Sequence, residues 1–294
     1  RQEVDALKHG LAGHLRIAAI PTALPIVALL TTPYQAHHPD VRFTILSRTS
    51  IEVLSMLENL EIDAGLTYLD NEPVGRVQSL RLYTEHYRLL ASNEGPLADR
   101  ESVTWQEVGH MPLCLLTPDM QNRRIIDAQL REAGVDLVPR LESDSVIVLI
   151  AHVHTGKWNS VMPARLADVL GVSKNVRTIP IVDPVVTHSI GLVVPHRNPL
   201  TPLINALVAE AKQLVPVLEG IASTKTPEET LGPWRRRLFA FEKAVALGAR
   251  RRGSTLPPLI HVCFFAERFR WARVAPATKT AAPNHGTAAR FACK

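Results

Sequence analysis

Leu15-Arg16-Ile17-Ala18-Ala19-Ile20 is an apolar run of strand length, and Pro21-Thr22-Ala23-Leu24-Pro25 breaks it and starts a helix to about His37. Pro39-Asp40 punctuates, and Val41-Arg42-Phe43-Thr44-Ile45-Leu46 alternates as a strand. Ser47-Arg48-Thr49-Ser50 starts a second helix, Ile51 to Leu60, and Ile62-Asp63-Ala64-Gly65-Leu66 is a third strand. Strands alternating with helices imply a parallel sheet with crossover helices. In such sheets ligands bind outside the carboxyl ends of the strands. Those ends carry Thr22, Thr49, Ser50 and Thr67, which makes an uncharged, hydroxyl-lined cleft at helix N-termini. That chemistry suits a small polar or anionic ligand.

The chain has 294 residues, enough for two domains, with 46% hydrophobic and 21% charged residues, ordinary values for a globular protein. No uninterrupted apolar run reaches membrane-spanning length, and Arg1 is not followed by a basic-then-apolar signal segment. Three cysteines, Cys114, Cys263 and Cys293, have neither metal-ligand spacing nor a disulfide framework, which favours a reducing compartment. The net charge of +5 hides an asymmetry. Residues 222–294 hold 14 basic and 4 acidic residues, leaving 19 basic and 24 acidic in 1–221. The body is mildly acidic and the tail strongly basic.

Val4, Leu7 and Leu11 are spaced as on a helix seam that Gly10 and Gly13 end. Beyond the first sheet segment, Tyr83 to Ser92 reads as a strand crossing into a second subdomain. There Leu113 to Leu116 is a strand, Thr117-Pro118-Asp119 starts a helix to about Glu132, and Leu137 to Leu141 is strand-like. Ser143-Asp144-Ser145 caps a helix from Val146 to His154, and Asn159 to Pro163 is a short strand. Val182 to Val194 returns to the first subdomain, and Pro202 to Leu218 is an amphipathic helix closing it. The tail carries Arg235-Arg236-Arg237 and Arg250-Arg251-Arg252 without a clear apolar period, and reads as a disordered or aberrant extension. Its rival reading is a basic arm that neutralises nucleic-acid phosphates.

Gly13-His14-Leu15-Arg16-Ile17, His38-Pro39-Asp40-Val41 and Leu57 to Gly65 carry a family resemblance, together with Ser143-Asp144-Ser145, His154 to Trp158 and Val161-Met162-Pro163. In this order and spacing, the chain from about Val4 to Glu219 resembles the effector-binding domain of LysR-type bacterial transcription regulators. The resemblance implies an α/β fold of two Rossmann-like lobes joined by a two-strand hinge, like the type 2 periplasmic binding proteins. It assigns 1–12 to the end of a linker helix, 13–88 and 190–221 to subdomain I, 89–189 to subdomain II, and 222–294 to the basic tail. It further implies a winged helix-turn-helix ahead of Arg1, so that the chain is a fragment of a cytoplasmic, homodimeric or homotetrameric regulator that meets DNA only through that domain. No membrane contact and no cofactor are expected. The implied dimer surface sets the helix Ala23 to His37 against Pro202 to Leu218 of a partner, with Leu24, Val27, Leu30, Leu203 and Leu207 buried between them. A periplasmic solute receptor of the same fold is the alternative.

Catalysis finds no support. A nucleophile needs a base in reach and a group to orient it. No Gly-x-Ser-x-Gly elbow and no Gly-rich phosphate loop occur, Cys114 sits in a core-like apolar run, and His37-His38 and His152/His154 lack metal partners. Binding is better supported. Thr22 either caps its helix or offers its hydroxyl to a ligand beside the Ala23 backbone. Ser50 is a plausible cap for the second helix, which would free Thr49 to face the cleft. Thr67 closes the third strand. Gln121 at the next helix start can orient a polar group, and Trp158 and Met162 flank the short strand near the hinge. By resemblance, the Thr and Ser positions contact the effector. Arg48 and Arg123 are candidates for meeting a carboxylate, Asp144 for a cap, and His154 for an anion partner.

Overall fold

The computed structural model describes residues 11–70, 73–170 and 175–220. The expected linker-helix end before Leu11 and the basic stretch 222–294 lie outside the described residues, and Leu11 and Ala12 belong to no regular element. Strands β1 (Gly13–Ala19), β2 (Val41–Ser47) and β3 (Ala64–Tyr68) alternate with helices α1 (Leu24–His37) and α2 (Ser50–Glu58). β1 pairs in parallel with both β2 and β3, as crossover helices require. The chain continues through β4 (Val77–Ser92), β5 (Val103–Thr104), α3 (Trp105–Gly109), β6 (Cys114–Leu116) and α4 (Gln121–Glu132). It ends with β7 (Leu141–Ser143), α5 (Val146–His154), β8 (Ser160–Pro163), α6 (Ala164–Leu170), β9 (Val176–Val182), β10 (Thr187–Pro195) and α7 (Pro202–Gly220).

The main sheet runs β2-β1-β3-β10-β4-β9-β5, with β8 also on β4, while β6 and β7 form a separate parallel pair. β4 is the strand that makes two lobes. Its residues Val77 to His86 pair antiparallel with β10, which lies against β3 in lobe I. From Tyr87 to Ser92 it pairs instead with β8 and β9 in lobe II. The return crossing runs through residues 183–186, between β9 and β10. Two crossings side by side make a hinge.

Each lobe has its own core. Ala18, Val53, Leu57, Ile62 and Val193 pack between α2 and the lobe I sheet. A side chain at Gly65 would meet Val53 Cγ1 at 2.4 Å, so α2 sits on the sheet only because this position has none. Lobe II packs Leu90, Cys114, Leu149, Val153 and Met162 around α5 and α6. Burial alternates along β4 from Tyr83, so that Tyr83, Glu85, Tyr87 and Leu89 all face inward. This period is the one a pleated strand imposes.

Several expectations shift. The strand expected at Leu137 to Leu141 begins only at Leu141, and Pro139 within that stretch has no N–H to give a ladder. β9 and the short α3 were not anticipated. Ser145 occupies the N-cap of α5 without a side-chain cap bond; instead its N–H donates to Ser143 Oγ at 3.1 Å. The apolar residues expected to face a partner subunit are largely used at home. α1 and α7 pack on each other within the protomer, Tyr34 donates to the Leu203 carbonyl at 3.0 Å, and His37 pairs with Glu210 at 2.7 Å. Val27, Leu30 and Leu207 are buried there and so are not available to a partner, whereas Leu24 and Leu203 stay partly open.

Candidate functional site

In lobe I the carboxyl ends of β1 and β3 and the first turn of α2 converge on one side of a cleft. Lobe II closes it with the end of β6 and the first turn of α4. A shallow cleft lies between them, with about 200 Å3 of unfilled space that includes open solvent. Ile20, Pro21, Thr22, Ser50 and Tyr68 line it from lobe I; Leu116, Met120, Gln121 and Asn122 line it from lobe II. No lining side chain is charged, and the polar groups are hydroxyls and amides on an apolar floor. Small-ligand sites commonly have this make-up, although the volume is small.

Thr22 is buried, and it does not cap its helix. The α1 N-cap position belongs to Ala23 and has no side-chain cap bond, and the Thr22 hydroxyl has no hydrogen-bond partner. The Ala23 N–H, in contrast, donates to the Ile20 carbonyl at 2.9 Å and is spent in the turn. The roles assigned to Thr49 and Ser50 are reversed. Thr49 caps α2: its hydroxyl accepts from the Glu52 N–H at 3.2 Å, and its own N–H donates to Glu52 Oε2 at 2.8 Å. This reciprocal box occupies the Thr49 side chain, and Ser50 lines the cavity instead. The sequence Thr-Ser-Ile-Glu already held the signal, because Glu52 stands three residues after Thr49.

Thr67 is fully buried and does not line the cavity; its hydroxyl has no partner, and neither has that of Thr117, which follows β6. Burying a polar group without a partner costs about 1–3 kcal/mol. The Thr22 hydroxyl, which lines the cavity, is therefore a standing cost that a hydrogen-bonding ligand can relieve. Gln121 lines the cavity and donates to the Asp70 carbonyl at 3.2 Å, across the cleft. Trp158 and Met162 go elsewhere: Met162 is buried in the lobe II core and Trp158 packs against it, and neither lines the cavity. Met162 lies on β8 and Trp158 just ahead of it, and both side chains serve the packing of lobe II.

Residues that sequence reading missed complete the site. Tyr68 donates to Glu85 Oε2 at 2.6 Å and accepts from Asn122 Nδ2 at 3.2 Å. Arg124 Nη2 reaches Ser50 Oγ at 3.4 Å, and Arg124 Nη1 donates to the Asp119 carbonyl at 2.6 Å. Gln121, Asn122 and Arg124 thus place three donors of one helix start onto lobe I. Asp70 accepts from the Ser189 N–H at 2.8 Å, so residues 68–70 tie β3 to the hinge strand β10. Glu85 is fully buried, and burial pushes its carboxyl up to about 8 despite the Tyr68 bond. Burial likewise raises the Tyr68 phenol far above its ordinary value and lowers the His188 imidazole. A glutamate on the inward parity of an apolar strand was the legible signal for Glu85.

The other candidates hold structure. Arg123 is buried and donates to Asp127 at 2.7 Å, to Glu142 at 2.5 Å and to the Leu116 carbonyl at 2.7 Å. Arg48 donates to the Ser47 carbonyl. Burial pushes the Cys114 thiol up to about 11, the state of an inert core thiol. Among the described residues, no three His, Cys, Asp or Glu side chains are grouped to hold a metal ion, and no helix is long and apolar enough to cross a membrane.

Residues 8–216 match the family described as the LysR substrate binding domain. A probable nitrogen assimilation transcriptional activator of Synechococcus elongatus is 26% identical over 170 residues, covering 56% of this chain and 54% of that protein. The chain therefore spans about half the length of the curated relatives it matches. The reduced OxyR regulatory domain of Pseudomonas aeruginosa superposes with a TM-score of 0.60 at 20% identity, covering 69% of this chain and 98% of that one. The effector binding domain of QuiR in complex with shikimate gives 0.59 at 19% identity, over 70% and 98% of the two chains. These likenesses show the two-lobed fold.

Proposed function

The chain belongs to the LysR substrate binding domain family, and from that premise we propose that it senses a small polar or anionic metabolite held between its lobes. The observation that carries this reading is the cavity itself, lined from both lobes and holding the unpartnered, buried hydroxyl of Thr22. A ligand that accepts from Thr22 and meets Ser50, Gln121 and Asn122 touches both lobes at once. It therefore favours one lobe angle through differential affinity, the only way a ligand can shift such an equilibrium. In the intact regulator that angle would set how subunits of a homodimer or homotetramer pair on DNA, with DNA contacted by a separate N-terminal domain and the protein acting in the cytoplasm. The effector binding domain of QuiR, solved in complex with shikimate, shares the fold, which supports a small-molecule ligand for this one. The solute-receptor alternative is not favoured, since the curated relatives are described as transcriptional regulators.

A thermal-shift screen of the chain against small organic acids and inorganic anions tests the reading. A ligand at about 100 times its Kd stabilises by about 2.7 kcal/mol. A domain of this size then melts roughly 5–10 °C higher. Thr22→Val and Asn122→Ala should each abolish most of that shift. A stabilising ligand whose effect survives both substitutions binds somewhere else.

A further inference from the structure

Glu85 sits where β4 passes from lobe I to lobe II and pairs across the sheet with His188 of β10. Its carboxyl is fully buried, one oxygen accepts from Tyr68, and Oε1 has no hydrogen-bond partner. Tyr68 itself lines the cleft, and its hydroxyl accepts from Asn122 of the opposite lobe. Two residues on, Asp70 takes the Gln121 amide on its carbonyl and the Ser189 N–H on its carboxylate. The short segment Tyr68 to Asp70 is thus the landing point for the first turn of α4 and the attachment of both hinge strands.

We propose that Glu85 is a positioning residue for lobe closure: by fixing the Tyr68 hydroxyl at the cleft wall, it sets the acceptor on which Asn122 of lobe II docks. The inference deepens the sensing role proposed above and rests on it. As a neutral acid, Glu85 tolerates its dry site. Once ionised, it is a buried carboxylate with one hydrogen bond, a state that costs far more than the neutral one. If water reaches the carboxyl when the lobes part, that cost is relieved. The groups around it do not remove the charge. Asp70, beyond β3, repels it; Tyr83 and Tyr87 on its own strand, Tyr68 on β3 and His188 on β10 are neutral at pH 7 under the same burial. Arg165 on α6 attracts it, but that guanidinium lies 4.9 Å over the Tyr83 ring and donates to the Leu218 carbonyl. Closure should therefore weaken as pH rises, with Glu85 as the source.

Hydrogen–deuterium exchange of the ligand-free chain, corrected for the intrinsic rate, tests this at the amides of residues 121–124. Between about pH 6.5 and about pH 9 the wild-type first turn of α4 should lose about tenfold in protection, because the open state releases a proton the closed state keeps. Glu85→Gln should hold that loss below about twofold, since its amide cannot ionise. Asn122→Ala cuts the link without touching Glu85, so its protection should be low at both pH values and nearly independent of pH. It decides the matter alone if Glu85→Gln does not fold. No pH-dependent loss in wild type, the same loss in Glu85→Gln, or full wild-type pH dependence in Asn122→Ala would each overturn the proposal. No effector enters the measurement, so its failure leaves ligand binding in the cleft standing, and an empty ligand screen leaves this test standing.

Discussion

Replacing Glu85 by glutamine should stabilise the protein, and by more at higher pH. Burial raises the carboxyl from an ordinary 4.5 to about 8. Between those values the folded state keeps a proton that the unfolded chain releases. Wild-type stability is therefore fully present below pH 4.5, falls as pH rises, and levels off above pH 8, where both states are ionised. Each full pH unit of that interval is worth about 1.4 kcal/mol. With partial titration near the upper end, the wild type should lose about 2 kcal/mol relative to Glu85→Gln between pH 6 and pH 8. His86 and His188, both lowered by burial, act the other way, since their contribution is lost as pH falls. They are common to both proteins and cancel in the difference. At roughly 2–4 °C per kcal/mol, the two melting curves should diverge by about 4–8 °C across that range. Scanning calorimetry at matched ionic strength reads it directly. Parallel curves would mean that Glu85 is ionised in the folded protein and is not the neutral acid of a dry hinge.

Thr22→Val removes a buried hydroxyl that has no partner, at nearly constant volume, so the ligand-free chain should gain about 1 kcal/mol in urea unfolding. Thr49→Val breaks the capping box of α2 and should lose about 1 kcal/mol in the same assay, while any effector response in the thermal-shift screen persists. Gly65→Ala forces a methyl into Val53 and Val193 and should lower the melting temperature by the equivalent of about 1–3 kcal/mol. A neutral Gly65→Ala would show that α2 can move off the sheet freely.

Much of the fold was legible because its causes are local. The period of β1, β2 and β3 and the breaks at Pro21, Pro25 and Pro39 require nothing beyond neighbouring residues. Thr22 was legible too, as a hydroxyl at a strand end. The division of labour between Thr49 and Ser50 was misread although the capping signature was present, because two adjacent hydroxyls offer the same chemistry and only backbone geometry separates them. Trp158 and Met162 were placed by their nearness in sequence to the hinge. Which face of β8 is covered depends on α5 and α6 packing against it, a contact that no local pattern encodes.

By itself, then, the sequence determined the alternation of strands and helices and the hydroxyl character of the strand ends, since spacing and residue type fix these within a few neighbours, while the two lobes were implied by its resemblance to a known family. Only the tertiary structure brought Glu85, Tyr68 and Asn122 together from three elements and two lobes. It also left the Thr22 hydroxyl without a partner and spent Val27, Leu30 and Leu207 inside the protomer. Burial and pairing across the hinge arise from contacts between residues tens of positions apart, and those contacts exist only once the chain has closed on itself.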